Sequence, residues 1–184
     1  MTSADATAAG ILHFWFTDTA PAQWWRADAG FDALITQRYG ALHQAAAAGE
    51  LAAWRATPQG RLAEVIVLDQ FSRNIHRGTP RAFAHDGMAL VLAQHALAAA
   101  ADAVLAPVQR AFLYLPFMHS ESRAMQAESE RLYRALGLAG NLDAALRHRA
   151  IVDRFGRYPH RNAALGRESS ADELAFLQQP GSSF

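Results

Sequence analysis

Apolar residues recur along most of this chain at three- and four-residue intervals, the spacing of helices that bury one face. Between Phe31 and Ala48 the positions Phe31, Leu34, Ile35, Ala41, Leu42 and Ala45 keep that spacing, and Gly49 ends it. Residues 5–16 read as an earlier helix closing on the aromatic run His13-Phe14-Trp15-Phe16. Pro21 and the Trp24-Trp25 pair lie in the connection that follows, and Leu51 to Arg55 gives a single helical turn. Thr57-Pro58 is an N-cap followed by proline at the first helical position, and it predicts a helix reaching His76 and stopping at Gly78. Thr79-Pro80 repeats the signal for a helix over 81–100, with a break expected near Asp86-Gly87.

Pro107 opens the next helix, and Pro116 should kink or end it by removing one hydrogen bond and crowding the previous turn. Ser120 is placed to cap a helix over 121–136, and Gly137 and Gly140 mark a turn. Asn141 is placed to cap a helix running to Phe155, where Gly156 ends it. The YPHRN stretch is irregular, and Ser170 with Glu173 forms a capping box for a last helix to Gln178. No run alternates apolar and polar residues as a strand would. The pattern predicts an all-α fold of about eight antiparallel helices, arranged as a bundle or a degenerate tetratricopeptide-like repeat array. No linker divides the chain, so residues 1–184 are expected to form one domain.

Composition narrows the chemistry. The chain has no cysteine, which excludes disulfides, Cys-ligated zinc, iron–sulfur clusters and thiol catalysis. All 17 basic residues are arginine, which excludes Schiff-base chemistry and a P-loop lysine. Seventeen acidic residues balance them, so a general nucleic-acid binder is disfavoured. No apolar run reaches the roughly 18 residues of a membrane span. The first ten residues lack the basic and apolar regions of a signal peptide, and a soluble cytoplasmic protein with no membrane partner is expected.

Three polar clusters interrupt this apolar background. In LAEVIVLDQFSRN, Leu62, Val65 and Ile66 share one helix face with Asp69 and Arg73, while Val67, Leu68, Phe71 and Ile75 cover the other side. A helix apolar nearly all round belongs at the centre of the fold, and two charges at its end need each other or further partners. FLYLPFMHSES places His119 and Glu121 in the turn after Pro116. His119 and Glu121 lack the one-face i,i+4 geometry of a zinc helix, so neither a metal nor a cofactor is expected. The third cluster is Arg-rich: Asp153 pairs with Arg149 and Arg157 at helical spacing, and Arg154, Arg157, His160, Arg161, Asn162 and Arg167 crowd a short irregular stretch. Such a set binds carboxylates or phosphates, or it staples its own loop onto carboxylates such as Asp69 and Glu121. The four tryptophans are expected in the core. His43, His85, His95 and His148 are expected to be ordinary surface or boundary residues.

The words FWF (14–16), LDQFSRN with RGTPRAFAHD (68–86), LPFMHSES (115–122) and RFGRYPHRNAALGRESSADE (154–173) resemble the bacterial domain-of-unknown-function-924 family, in the same order along nearly the whole chain. The resemblance implies an all-α, tetratricopeptide-like fold and carries no established activity, substrate or catalytic residue. The chain departs from the family's usual words at Ser72, where proline is common, and at Met118, where Glu is common.

Two readings of function stand on the residues. In the first, the clusters converge on a cleft that binds a small anionic ligand, as an acid/base or hydrolytic site would. His119, Glu121, Asp69 and His160 are then the candidate catalytic residues, and Arg73, Asn74, Arg154, Arg157, Arg161 and Asn162 the candidate ligand-binding residues. In the second, the helices form an interaction scaffold for an acidic peptide or a carboxylate terminus. RNA binding by the Arg-rich stretch ranks behind both.

Overall fold

Caps written in the sequence set several of the helix starts in the structure, a computed structural model that describes residues 6–183. The Thr7, Asp28, Thr57 and Ser170 side chains each accept a backbone N–H three residues on. The first residue of the helix expected over 5–16, and half of the stretch read for a signal peptide, lie outside the described residues. Helix α1 covers 8–18, ending in a π turn over Phe14–Asp18. It is followed by α2 (Ala29–Ala47) and by α3 (58–75), which is continuous through a π turn at Val67–Phe71. Then come α4 (Asp86–Ala98), α5 (Pro107–His119), α6 (Arg123–Leu136), α7 (Ala139–Phe155), the single turn α8 (Asn162–Leu165) and α9 (Ala171–Leu177). The connections include 3-10 turns at Pro21–Trp25, Ala52–Ala56, Pro80–Phe83, Ala101–Val104 and Pro159–Arg161. The fold is all-α, with no strand among the described residues.

Several boundaries differ from those expected. Pro80–Phe83 folds as a 3-10 turn and α4 starts afresh at Asp86, so the break expected near Asp86-Gly87 falls just before it, at Ala84-His85. Of the two outcomes expected at Pro116, an end is ruled out: helix α5 runs through it to His119, with every residue from Ala111 to Met118 buried, so packing outweighs the lost hydrogen bond. Helix α6 begins at Arg123, and Ser120 Oγ accepts from Ser122 N instead of capping. Helix α7 begins at Ala139, before Asn141, because extended Leu138 takes the N-cap position.

Helix α3 packs against α1, α2, α4 and α5 and is the centre of the molecule. Leu62, Val65, Ile66, Val67, Leu68 and Phe71 are fully buried, as an apolar helix without a polar face requires. Phe31, Phe71 and Phe112 pack around Trp15 in one aromatic cluster, which Phe14 joins through Phe31 and Phe71. Helices α6 and α7, joined through Gly137 and Leu138, pack on each other as an αα-hairpin and close the far side. Trp25 corrects the expectation for tryptophan: it is 60% exposed and stacks on Phe112 at 5.6 Å. His43 and His148 are likewise not surface residues but buried ones. Burial pushes His43 down to about 4, and its Nε2 lies 2.7 Å from Ser72 Oγ. No helix of the described residues is long and apolar enough to cross a membrane.

Candidate functional site

The site begins where apolar α3 has to accommodate a charge. Asp69 sits in the π turn, a widening of the helix that recurs at functional positions, and is 1% exposed. Its Oδ1 accepts from His119 Nδ1 at 2.7 Å and its Oδ2 from Gln70 Nε2 at 2.6 Å. Arg73 Nη1 donates to the Asp69 backbone carbonyl at 2.6 Å and lies 3.3 Å from Oδ1, the i,i+4 pair foreseen from the sequence. Burial raises the Asp69 pKa, but Arg73 and then His119 more than reverse this and hold the carboxyl well below the usual carboxylate range.

An ionised carboxylate can only accept, so His119 Nδ1 carries the proton. No group among the described residues hydrogen-bonds His119 Nε2. Burial lowers the His119 pKa, Arg73 adds to the shift, and Asp69 opposes it. The imidazole is therefore neutral near pH 7, with Nε2 as a basic nitrogen.

His119 is the last residue of α5, where backbone carbonyls lack helical partners. Side chains from elsewhere take them up. Tyr158 Oη and Gln126 Nε2 donate to the Met118 carbonyl, Gln126 Nε2 to that of Ser120 at 2.6 Å, and Arg161 Nη2 to that of His119 at 3.0 Å. Gly156, with φ of 71°, ends α7 and turns the chain toward this point. Glu121 then fastens the returning segment. It accepts Tyr158 N at 2.8 Å and both Nη atoms of Arg167 at 2.7 and 2.9 Å. Burial raises the Glu121 pKa, but Arg167 and the Tyr158 N–H outweigh it and keep the carboxyl low.

Arg161 is 5% exposed and packs on two aromatic rings, 4.6 Å from the centroids of both Phe83 and Tyr158. Its Nη1 donates to Asp86 Oδ2 at 3.2 Å, while Arg73 takes both oxygens of the same carboxylate at 3.0 and 3.1 Å. Arg161 Nε is buried without a hydrogen-bond partner. Burial, and then Arg73, lower the Arg161 pKa. These groups meet at an open cleft of about 290 Å³. Asp86, His119, Ser120, Glu121 and Arg161 form its polar side, and Pro80, Phe83, Leu90 and Leu165 its apolar side.

His119, Glu121 and Arg161 thus reach the cleft, with Asp69 and Arg73 directly behind them. His160 lies against Tyr158, 5.7 Å between ring centroids, and burial followed by Arg161 pushes it down to about 4. Asn162 is buried under the segment, accepting from Arg167 Nε and donating to Ser169 Oγ. Three candidates stand apart. Arg157 pairs with Glu173 at 2.6 and 2.8 Å, not with Asp153. Arg154 covers the Phe155 and Phe176 rings, and Asn74 donates to Asp32 on the α2 side. Sequence reasoning missed Asp86 and Phe83. Their signal was the word RGTPRAFAHD, whose turn brings Asp86 back onto Arg73. No group of three or more His, Asp or Glu among the described residues could hold a metal ion.

The chain matches the family model described as "Bacterial protein of unknown function (DUF924)" over residues 11–181. No protein with a curated description matches it. Among solved structures it is similar to a protein of unknown function from Agrobacterium tumefaciens, with 40% sequence identity and a TM-score of 0.88. That likeness covers 93% of this chain and 96% of the other. With the family model matched along nearly its whole length, the chain belongs to the bacterial DUF924 family.

Proposed function

We propose that the cleft binds a small anionic ligand and that His119, oriented by Asp69, moves a proton to or from it, as in an acid/base or hydrolytic enzyme. One observation carries this reading. His119 is fixed through Nδ1 to a buried, ionised carboxylate, while it and Arg161 share one cleft. A base held by an orienting acid is the arrangement used to activate water or a substrate hydroxyl. Arg161 supplies the cation for the ligand, and the low pKa of His119 keeps the base unprotonated until it is needed. The cleft volume, near the lower end of the ~300–1,000 Å³ of small-molecule sites, supports a compact ligand over a peptide. Trp25, the exposed aromatic that a peptide groove would use, packs on Phe112 and does not line this cleft.

The test is a thermal-shift screen of wild type, His119→Asn and Arg161→Gln against small anionic metabolites. Ligands should raise the wild-type melting temperature, and the shift should collapse in both folded variants. Equal shifts in wild type and both variants would remove the cleft from consideration.

A further inference from the structure

Resting on that reading, we infer that the ligand is a small monocarboxylate with an apolar body, taken up together with one proton on His119. The first argument is charge. Arg73, Arg161 and Arg167 stand against Asp69, Asp86 and Glu121, so the site is neutral while His119 is neutral. The six are not evenly matched. Arg167 has both oxygens of Glu121, and Arg73 has both of Asp86 as well as Asp69. Arg161 has one shared oxygen of Asp86 and a backbone carbonyl, and its buried Nε has no partner. Among the cleft-lining residues it is the one arginine, and it is the one whose charge is least satisfied.

A ligand with a single negative charge gives Arg161 an acceptor that it does not share with Arg73. A phosphate dianion would place a second charge beside Asp86 and Glu121, which both line the cleft. A carboxylate also matches the planar guanidinium of Arg161, which lines the cleft and shares its one carboxylate oxygen, from Asp86, with Arg73. The apolar side made by Pro80, Phe83, Leu90 and Leu165 then has to be filled. At about 290 Å³ the cleft lies near the lower end of small-molecule sites and suits a ligand of a single ring or a short chain. That is the size of benzoate, phenylacetate or hexanoate.

The second argument is the proton. His119 is faced by Asp69 and Arg73 from α3, Asp86 from α4, His148 from α7, and His160 and Arg161 from the returning segment. Glu121 follows it in its own turn. A bound monoanion leaves this set with one uncompensated negative charge. A proton on Nε2 cancels it and turns that nitrogen into a second donor to the ligand. The burial and the Arg73 charge that keep His119 neutral are then opposed by the ligand.

The test is isothermal titration of the full chain with butyrate, hexanoate, benzoate and phenylacetate, with their primary amides, and with inorganic phosphate. Each runs at pH 7 to 8.5 in buffers of low and high ionisation enthalpy. Carboxylates should bind at least tenfold more tightly than their amides, and hexanoate more tightly than butyrate by about fourfold per methylene until the cleft is full. About one proton should be taken up per ligand above the His119 midpoint, with affinity falling about tenfold per pH unit there. His119→Gln should abolish proton uptake. Amides binding as tightly as acids, phosphate binding as tightly as hexanoate, or uptake near zero would each overturn the inference. The acid–amide comparison needs no variant, so a misfolded substitution cannot rescue it. Modification of His119 by diethylpyrocarbonate separates the two levels. If Nε2 is reactive and an amide protects it while no acid binds, the proton-transfer site stands and the carboxylate is wrong. If Nε2 is inert and nothing binds, both fall.

Discussion

Replacing Asp69 by Asn removes the charge that holds the site together while keeping its shape. The carboxylate accepts from His119 and Gln70 and faces Arg73, all in a position 1% exposed. Hydrogen bonds involving a charged group contribute roughly 1.5–3 kcal/mol, and removing one partner of a buried ion pair costs roughly 3–5 kcal/mol. Arg73 keeps its two bonds to Asp86, so its charge is not abandoned and the lower part of that range applies. The expected loss is about 2–4 kcal/mol at pH 7, read from urea denaturation at unchanged m-value.

The pH dependence supplies a second check. The folded-state pKa of Asp69 lies below its unfolded value of 3.8, so on acidification the unfolded chain takes the proton first. The contribution is therefore complete above about pH 5 and is lost as pH falls from there through 3.8 toward the folded pKa. Wild type and variant should converge in stability over that acid range. In the variant the His119 imidazole should also titrate lower than in wild type, because the carboxylate that raises its pKa is gone. A loss under about 0.5 kcal/mol at pH 7, or a gap that stays constant below about pH 4, would refute the assignment of Asp69 as the charged anchor of the site.

Three further outcomes follow from the same contacts. Burial, aided by the nearby His119, pushes His148 down to about 3, so the unfolded chain protonates first and stability falls below about pH 6.5 by up to about 1.4 kcal/mol per pH unit; a folded His148→Gln variant should lose that component in acid melts. Arg157→Ala releases Glu173 and the Glu168 carbonyl, so hydrogen exchange should quicken over 168–177, while ligand binding at the cleft stays at the wild-type level. Glu121→Gln weakens the bidentate bond to Arg167 and should cost about 1–2 kcal/mol near pH 7 in chemical denaturation, discounted for partial exposure, with the cost shrinking as pH falls below 4.5.

Much of the scaffold was legible because helical signals are local. Thr57-Pro58, Gly156 and the Ser170–Glu173 box act within one or two turns, and each sits at a helix end in the structure. The central place of α3 followed from an apolar pattern that leaves no face for water. Pro116 shows the limit of such rules: its local cost is real, but α5 is so buried that packing carries the helix past it. For the Arg-rich segment the sequence left two readings open, an anion site or a staple onto Asp69 and Glu121; Glu121 does take Arg167, while Asp69 is held by Arg73 and His119 instead. Which arginine takes which acid was not legible. Arg157 turned to Glu173, Arg167 to Glu121 and Arg161 to Asp86, and none of these pairings has a helical spacing.

By itself the sequence determined the all-α class and the central helix, because periodicity and residue type are properties of the chain alone. It also determined the Asp69–Arg73 pair, one turn apart on one helix. Only the tertiary structure decided that His119 points Nδ1 at Asp69 across 50 residues, and that Asp86 is shared by two arginines. It alone set Arg154, Arg157 and Asn74 apart from the cleft. The physical reason is that contacts between distant segments depend on how helices cross and where loops return, which no local spacing encodes.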